Sequence, residues 1–208
     1  IAMNASNNQI GLLTAIPSLV APIAQLESVK IMEHMTSRKK LIIKAAIFQA
    51  VMWLPILIIP FIFLEFGPRL LILLFSLLAI FASFITPIWI SWMGDLVKEN
   101  QRGSYFGRRN MITGMVALIA AFLAGFYLDI FEKNNKVFIG FATVFFLAFL
   151  ARIATIYYLR KQYEPKFRFD MKKYFSFIDF VKKMPSNNFG RFVLYLSLVH
   201  LVVYIAAP

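Results

Sequence analysis

The sequence predicts an all-α fold, a polytopic bundle of helices crossing a membrane several times. Three observations carry this expectation. Hydrophobic residues make up 60% of the chain and charged residues only 15%, where soluble domains sit nearer about one half and one quarter. The apolar residues, 23 Phe among them, fall in runs close to the roughly 20 residues needed to cross a bilayer. The polar connections between those runs alternate between strongly basic and nearly neutral.

Residues 1–9 are Asn-rich and carry no Lys or Arg, so they lack the positive n-region of a secretory signal peptide. The first expected span covers 10–35. It includes Pro17 and Pro22, then continues through Glu27, Lys30 and Glu33, whose i,i+3 spacing lets a helix leave the hydrocarbon intact. Ser37, Arg38, Lys39 and Lys40 close it. The second span, 41–66, contains Pro55 and Pro60, which membrane helices tolerate when neighbours satisfy the freed backbone groups. A turn at Gly67-Pro68 leads to the third span, 70–93, whose Trp89 and Trp92 fit an interfacial aromatic belt.

Next comes the polar loop 94–110, GDLVKENQRGSYFGRRN. The fourth span, 111–130, carries Gly114, Ala117, Ala121 and Gly125 at spacings of three and four, a face that lets another helix approach closely. The fifth span is 137–159. A basic connection, 160–190, alternates cations with Phe and Tyr between Tyr163 and Met184, as a helix lying on the membrane surface would. Residues 191–208 begin a further span. The expected organisation is a transmembrane bundle over 1–159, a central loop over 160–190 and the start of the next helix over 191–208.

Sixteen Lys or Arg residues fall in the loops 36–40, 94–110 and 160–191, against Arg69, Lys133 and Lys136 on the other side. By the positive-inside rule those basic loops are cytoplasmic and residues 1–9 lie outside. A chain entering the membrane at once from outside, opening on Ile1 and stopping at Pro208 within an apolar run, is expected to be a fragment that lacks an earlier helix and a later half.

Composition also excludes classes of function. The net charge of +12 would suggest nucleic acid in a soluble protein. Here the cations sit in membrane connections, so the expected partner is the bilayer and not nucleic acid. With no Cys and two distant His residues, no metal site is expected. GSYFGRR lacks the Lys-Ser/Thr ending of a nucleotide-binding P-loop. No catalytic constellation and no cofactor motif is present.

The motifs sharpen the class. Asp95 at the end of one span, the pair Arg102-Gly103, then Gly107 and Arg108-Arg109, resemble the signature between the fourth and fifth helices of the major facilitator superfamily (MFS). The Gly/Ala face of 111–130 is similar to that family's fifth-helix glycine motif. The family's motif between helices two and three is matched in part: Arg38 and Lys39 supply its basic end, Ser37 stands where it has Gly, and His34, with Glu33 beside it, stands where it has Asp. The resemblance implies helices two to six, the central loop and the start of helix seven.

The resemblance implies a multi-pass transporter of the cell (plasma or inner) membrane, moving a small solute by alternating access. Asp95 is expected to seek a cation such as Arg102 or Arg108, while Gly103 and Gly107 would permit a turn and close backbone approach. The cavity-lining helices of the family would place Ser83, Thr86, Trp89 and His200 on the solute path. Lys44 and Arg152 are expected to snorkel towards the headgroups. The competing expectation is a polytopic membrane enzyme or lipid-handling protein without vectorial transport.

Overall fold

The computed structural model describes residues 5–33, 37–62, 66–166 and 181–206. It separates into two units, Ile1–Arg168 and Phe169–Pro208. The first unit holds five helices, α1 (Asn7–Glu33), α2 (Arg38–Ile62), α3 (Gly67–Leu96), α4 (Arg102–Lys133) and α5 (Val137–Lys161). All five are long and apolar enough to cross a membrane. A helix satisfies its backbone groups internally, which hydrocarbon demands because it offers no water to do so.

The five expected spans fall on these helices, but several boundaries move. The fourth helix begins at Arg102 and not Met111, so much of the expected loop is helical. Only Val97-Lys98 and a 3-10 turn, Glu99–Gln101, interrupt the chain after α3. At 1.5 Å per residue, the 32 residues of α4 reach about 48 Å against roughly 30 Å of hydrocarbon. Hydropathy marks where a helix leaves the apolar layer, whereas its end is set by local backbone chemistry.

That chemistry is visible at the ends. Pro68 sits in the first turn of α3, where its missing N–H costs nothing. The turn between α4 and α5 places Asn135 at φ 56°, a left-handed conformation Asn accepts better than most residues. There the N–H of Lys136 reaches the carbonyl of Phe131 at 2.8 Å. Prolines 17, 22, 55, 60 and 87 lie inside helices.

Packing follows small residues. α2 lies against both α3 and α5, α1 against α3, and α4 against α5. On α2, Ile42, Ala45, Ala46, Gln49, Ala50, Ile56 and Ile59 are buried and recur at helical spacing. The alanines let backbones approach, so that dispersion supplies the attraction which hydrophobicity cannot provide among lipid tails. Trp53, Phe75 and Phe145, one each from α2, α3 and α5, form a ring cluster with centroids 5.8 to 6.5 Å apart.

No residue of α4 is buried. The Gly/Ala face is helical as expected, yet Gly114 and Gly125 have nothing within 4 Å of an added Cβ. Gly140 is the opposite case: its Cβ would stand 3.0 Å from Phe131 Cβ, so close contact between α4 and α5 depends on it.

In the second unit a 3-10 turn, Met184–Ser186, precedes α6 (Asn188–Ala206). Asn187 Oδ1 accepts from the Gly190 N–H at 2.6 Å. A Cβ on Gly190 would collide with the backbone of Met184, which makes glycine necessary there. Most of the expected surface helix between Tyr163 and Met184 lies outside the described residues.

Candidate functional site

Two features of the first unit join the residues singled out in the sequence. One is a polar cluster where α2 begins and where α3 and α5 end. Ser37 immediately precedes α2. Its Oγ accepts from the Lys40 N–H at 3.1 Å and donates to Glu164 Oε2 at 2.7 Å. Glu164 Oε1 accepts from the Lys39 N–H at 2.9 Å. Two N–H groups left without helical partners are thereby satisfied, and a carboxylate rests at the positive end of the α2 dipole.

Arg38 enters the same cluster from the first residue of α2. It is 0% exposed, and its Nη2 lies 2.6 Å from Asp95 Oδ2, while Nη1 donates to Ser91 Oγ at 2.9 Å. Lys39 Nζ donates to the Gln162 carbonyl at 2.6 Å, and Trp92 Nε1 to the Tyr163 carbonyl at 3.1 Å. Three helix ends are thus tied by directional bonds. Asp95 is 48% exposed, so solvent screening brings the ion pair to about 1–3 kcal/mol, below the 3–5 of a fully buried one.

Several expectations change here. Asp95 pairs with Arg38, not with Arg102 or Arg108. α2 packs beside α3 and brings Arg38 to its last turn, whereas the other two cations ride on α4. Arg102 Nε turns back to the Val97 carbonyl at 3.3 Å, and Arg108 is exposed. Arg109 lies over the Trp89 ring at 4.5 Å and donates to Asn110 Oδ1 at 3.0 Å. Gly103 and Gly107 are helical, without positive φ and with open space at the Cβ position; the expected turn and close approach are not found among the described residues. Trp92 is fully buried, not part of a lipid-facing belt. The Glu33 side chain and His34 lie outside the described residues.

Glu164 escaped the sequence reading because cations dominate its connection. The available signal was an acid followed by Pro165 just past a span, in a predominantly basic stretch.

The second feature is a pair of clefts that meet at Arg152 on α5. One, of about 310 Å³, is lined by Thr86, Trp89, Arg109 and Arg152 among others. The other, of about 450 Å³, is lined by Thr14, Ser18, Gln49, Trp53 and Arg152, with apolar residues between. Thr86 and Trp89 are therefore brought to a common cleft. Ser83 lines neither, and its side chain is half-buried. His200 lies on α6 in the second unit, where Nδ1 bonds to the Leu196 carbonyl at 2.8 Å.

The structure places Arg152, expected to snorkel, on the wall of both clefts. It stands more than two turns, about 12 Å along the helix, before Arg160, and it faces the clefts. A guanidinium at such depth costs about 2.5–3.5 kcal/mol unless it is solvated or paired. Gln49, near the middle of α2, is 1% exposed. Neither polar atom of its amide has a partner among the described residues.

A family model described as Major Facilitator Superfamily matches residues 2–207. No curated protein and no solved structure matches the chain. With nearly every residue inside the match, the chain belongs to the major facilitator superfamily, and so to a class of multi-pass membrane transporters.

Proposed function

We propose, with membership of that superfamily as the premise, that this chain forms the first helical bundle of a secondary active transporter moving a small solute by alternating access. The observation that carries the reading is the cluster of Arg38, Asp95, Ser37 and Glu164 at one end of the bundle. It joins the two family motif loops and fastens the ends of α2, α3 and α5. A bundle fastened this way moves as one body, which rocking about a midplane site requires. The cluster lies on the basic side, hence the cytoplasmic side of a cell (plasma or inner) membrane by the positive-inside rule. Arg102, Gly103, Gly107 and Arg108, exposed beside it on the first turns of α4, are the surface this bundle offers to a second one. The cleft at Thr86 and Trp89 opens the solute path.

The test uses the complete gene product in liposomes. Residues 1–208 hold no Cys, so with any Cys elsewhere in the gene product replaced by Ser, a single Thr86→Cys reports access to the cleft from either face. A membrane-impermeant maleimide is expected to label it from both sides, in proportions that an imposed ion or solute gradient shifts. Labelling confined to one side under every gradient, with no solute accumulated above empty liposomes, would refute the reading.

A further inference from the structure

The cleft between α1, α2, α3 and α5 contains a charge, that of Arg152, which no carboxylate among the described residues answers. Gln49 lines the same cleft, and its buried amide has neither its oxygen nor its nitrogen partnered among the described residues. Thr14 and Ser18 line it too. Their hydroxyls donate to the helix carbonyls of Gly11 and Thr14, at 2.9 and 2.7 Å, so their oxygens can accept only from a bound donor. Trp53 and Phe75 supply apolar wall.

We propose that this cleft binds a small organic acid, its carboxylate on Arg152 and its neutral polar end on Gln49. The inference rests on the transporter reading and adds the substrate class. A guanidinium presents paired N–H donors that match the two oxygens of a carboxylate. An amide with both functions free matches a neutral hydroxyl, carbonyl or amide on the same molecule. The volume of about 450 Å³ lies within the roughly 300–1,000 Å³ common for small-molecule sites. The placement is on α5 and α2, not on α6 or on α3 alone, where the sequence resemblance put the solute path. The depth of Arg152, about 12 Å along α5 from the basic end, favours a soluble acid over a lipid headgroup, whose phosphate stays at the interface.

The experiment is a thermal-shift titration of the complete gene product in neutral detergent. The probes are succinate, glutamate, citrate, benzoate and inorganic phosphate, with glucose and choline as controls and phosphatidylglycerol micelles as a separate arm. A ligand that binds only the folded state raises the unfolding midpoint by an amount that grows with the logarithm of one plus the ratio of ligand concentration to Kd. At least one carboxylate is expected to raise it and to accumulate in liposomes. Arg152→Gln should weaken its apparent affinity about tenfold or more, and Gln49→Leu by a smaller factor. Arg152→Lys keeps the charge and loses the paired geometry, so it should fall between; it also serves if Arg152→Gln does not fold.

The proposal is overturned if no carboxylate shifts the protein, if only phosphate or phosphatidylglycerol does, or if Arg152→Gln responds to acids as the parent does. Accumulation of glucose or choline in place of acids overturns it while leaving the transporter reading intact. Failure of the two-sided labelling of Thr86→Cys is a separate result and strikes the transporter reading itself.

Discussion

Replacing Glu164 by Gln tests whether the end cluster holds the bundle shut. The carboxylate accepts two hydrogen bonds, from Ser37 Oγ at 2.7 Å and the Lys39 N–H at 2.9 Å. An amide keeps one oxygen and turns the other position into a donor, so one bond to a charged group is lost, worth about 1.5–3 kcal/mol. Losing the charge beside the α2 N-terminus adds about 0.3–1 kcal/mol. Some of this returns as hydration of the half-buried side chain, which leaves roughly 2 kcal/mol, or about a 30-fold change in an opening equilibrium.

Because residues 1–208 lack Cys, that equilibrium can be read at one introduced thiol once any Cys elsewhere in the gene product is replaced by Ser. Met93→Cys places it in the last turns of α3, at a side chain 3% exposed. Where opening is fast relative to reaction, maleimide labelling tracks the open population. In inside-out vesicles, Glu164→Gln on that background should label about 30-fold faster. Lys166→Gln, at an exposed neighbour, should label like the parent. An unchanged rate with Glu164→Gln would show that the cluster does not hold these ends together.

Three further outcomes follow from the same geometry. Asp95→Asn should lower stability by about 1–3 kcal/mol, because it removes the carboxylate that meets Nη2 of the buried Arg38, and adding Arg38→Met should recover much of that loss. Strictly additive effects on the thermal midpoint would mean that the pair is not coupled. Gly140→Val should destabilise by about 1–3 kcal/mol through overpacking against Phe131 and Leu128, and an unaltered midpoint would contradict the α4–α5 contact. Gly103→Ala, in open space on a helix, should raise stability by up to about 1 kcal/mol. A fall in uptake with that variant despite the gain in stability would mark α4's first turn as a surface for a moving partner, whereas unchanged uptake would argue against that role.

Much of this was legible in the residues. The spans at 41–66, 70–93 and 137–159 follow from apolar runs that no soluble surface could accommodate, and each coincides with a helix to within a few residues at the described ends. Asp95 and Arg38 were both visible as motif members. Their pairing was not, because Arg102 and Arg108 lie nearer in sequence and the choice among cations depends on which helix packs beside α3. Glu164 was hidden for the same reason: it is more than 120 positions from Ser37 and meets it only once α5 returns alongside α2.

The sequence by itself determined the class of the protein: an all-α membrane bundle, its basic side and its superfamily. Those properties are local, since a run of apolar residues, a charged loop or a short motif means the same wherever its neighbours lie. Tertiary structure decided which side chains face one another. It turned Arg152 from a residue expected to snorkel into one shared by two clefts, placed the buried amide of Gln49 on the wall of one of them, and gave Asp95 its partner. Such outcomes depend on the rotation and register of one helix against the next. Packing of small residues such as Ala45, Ala46 and Ala50 sets these, and no single segment of the chain encodes them.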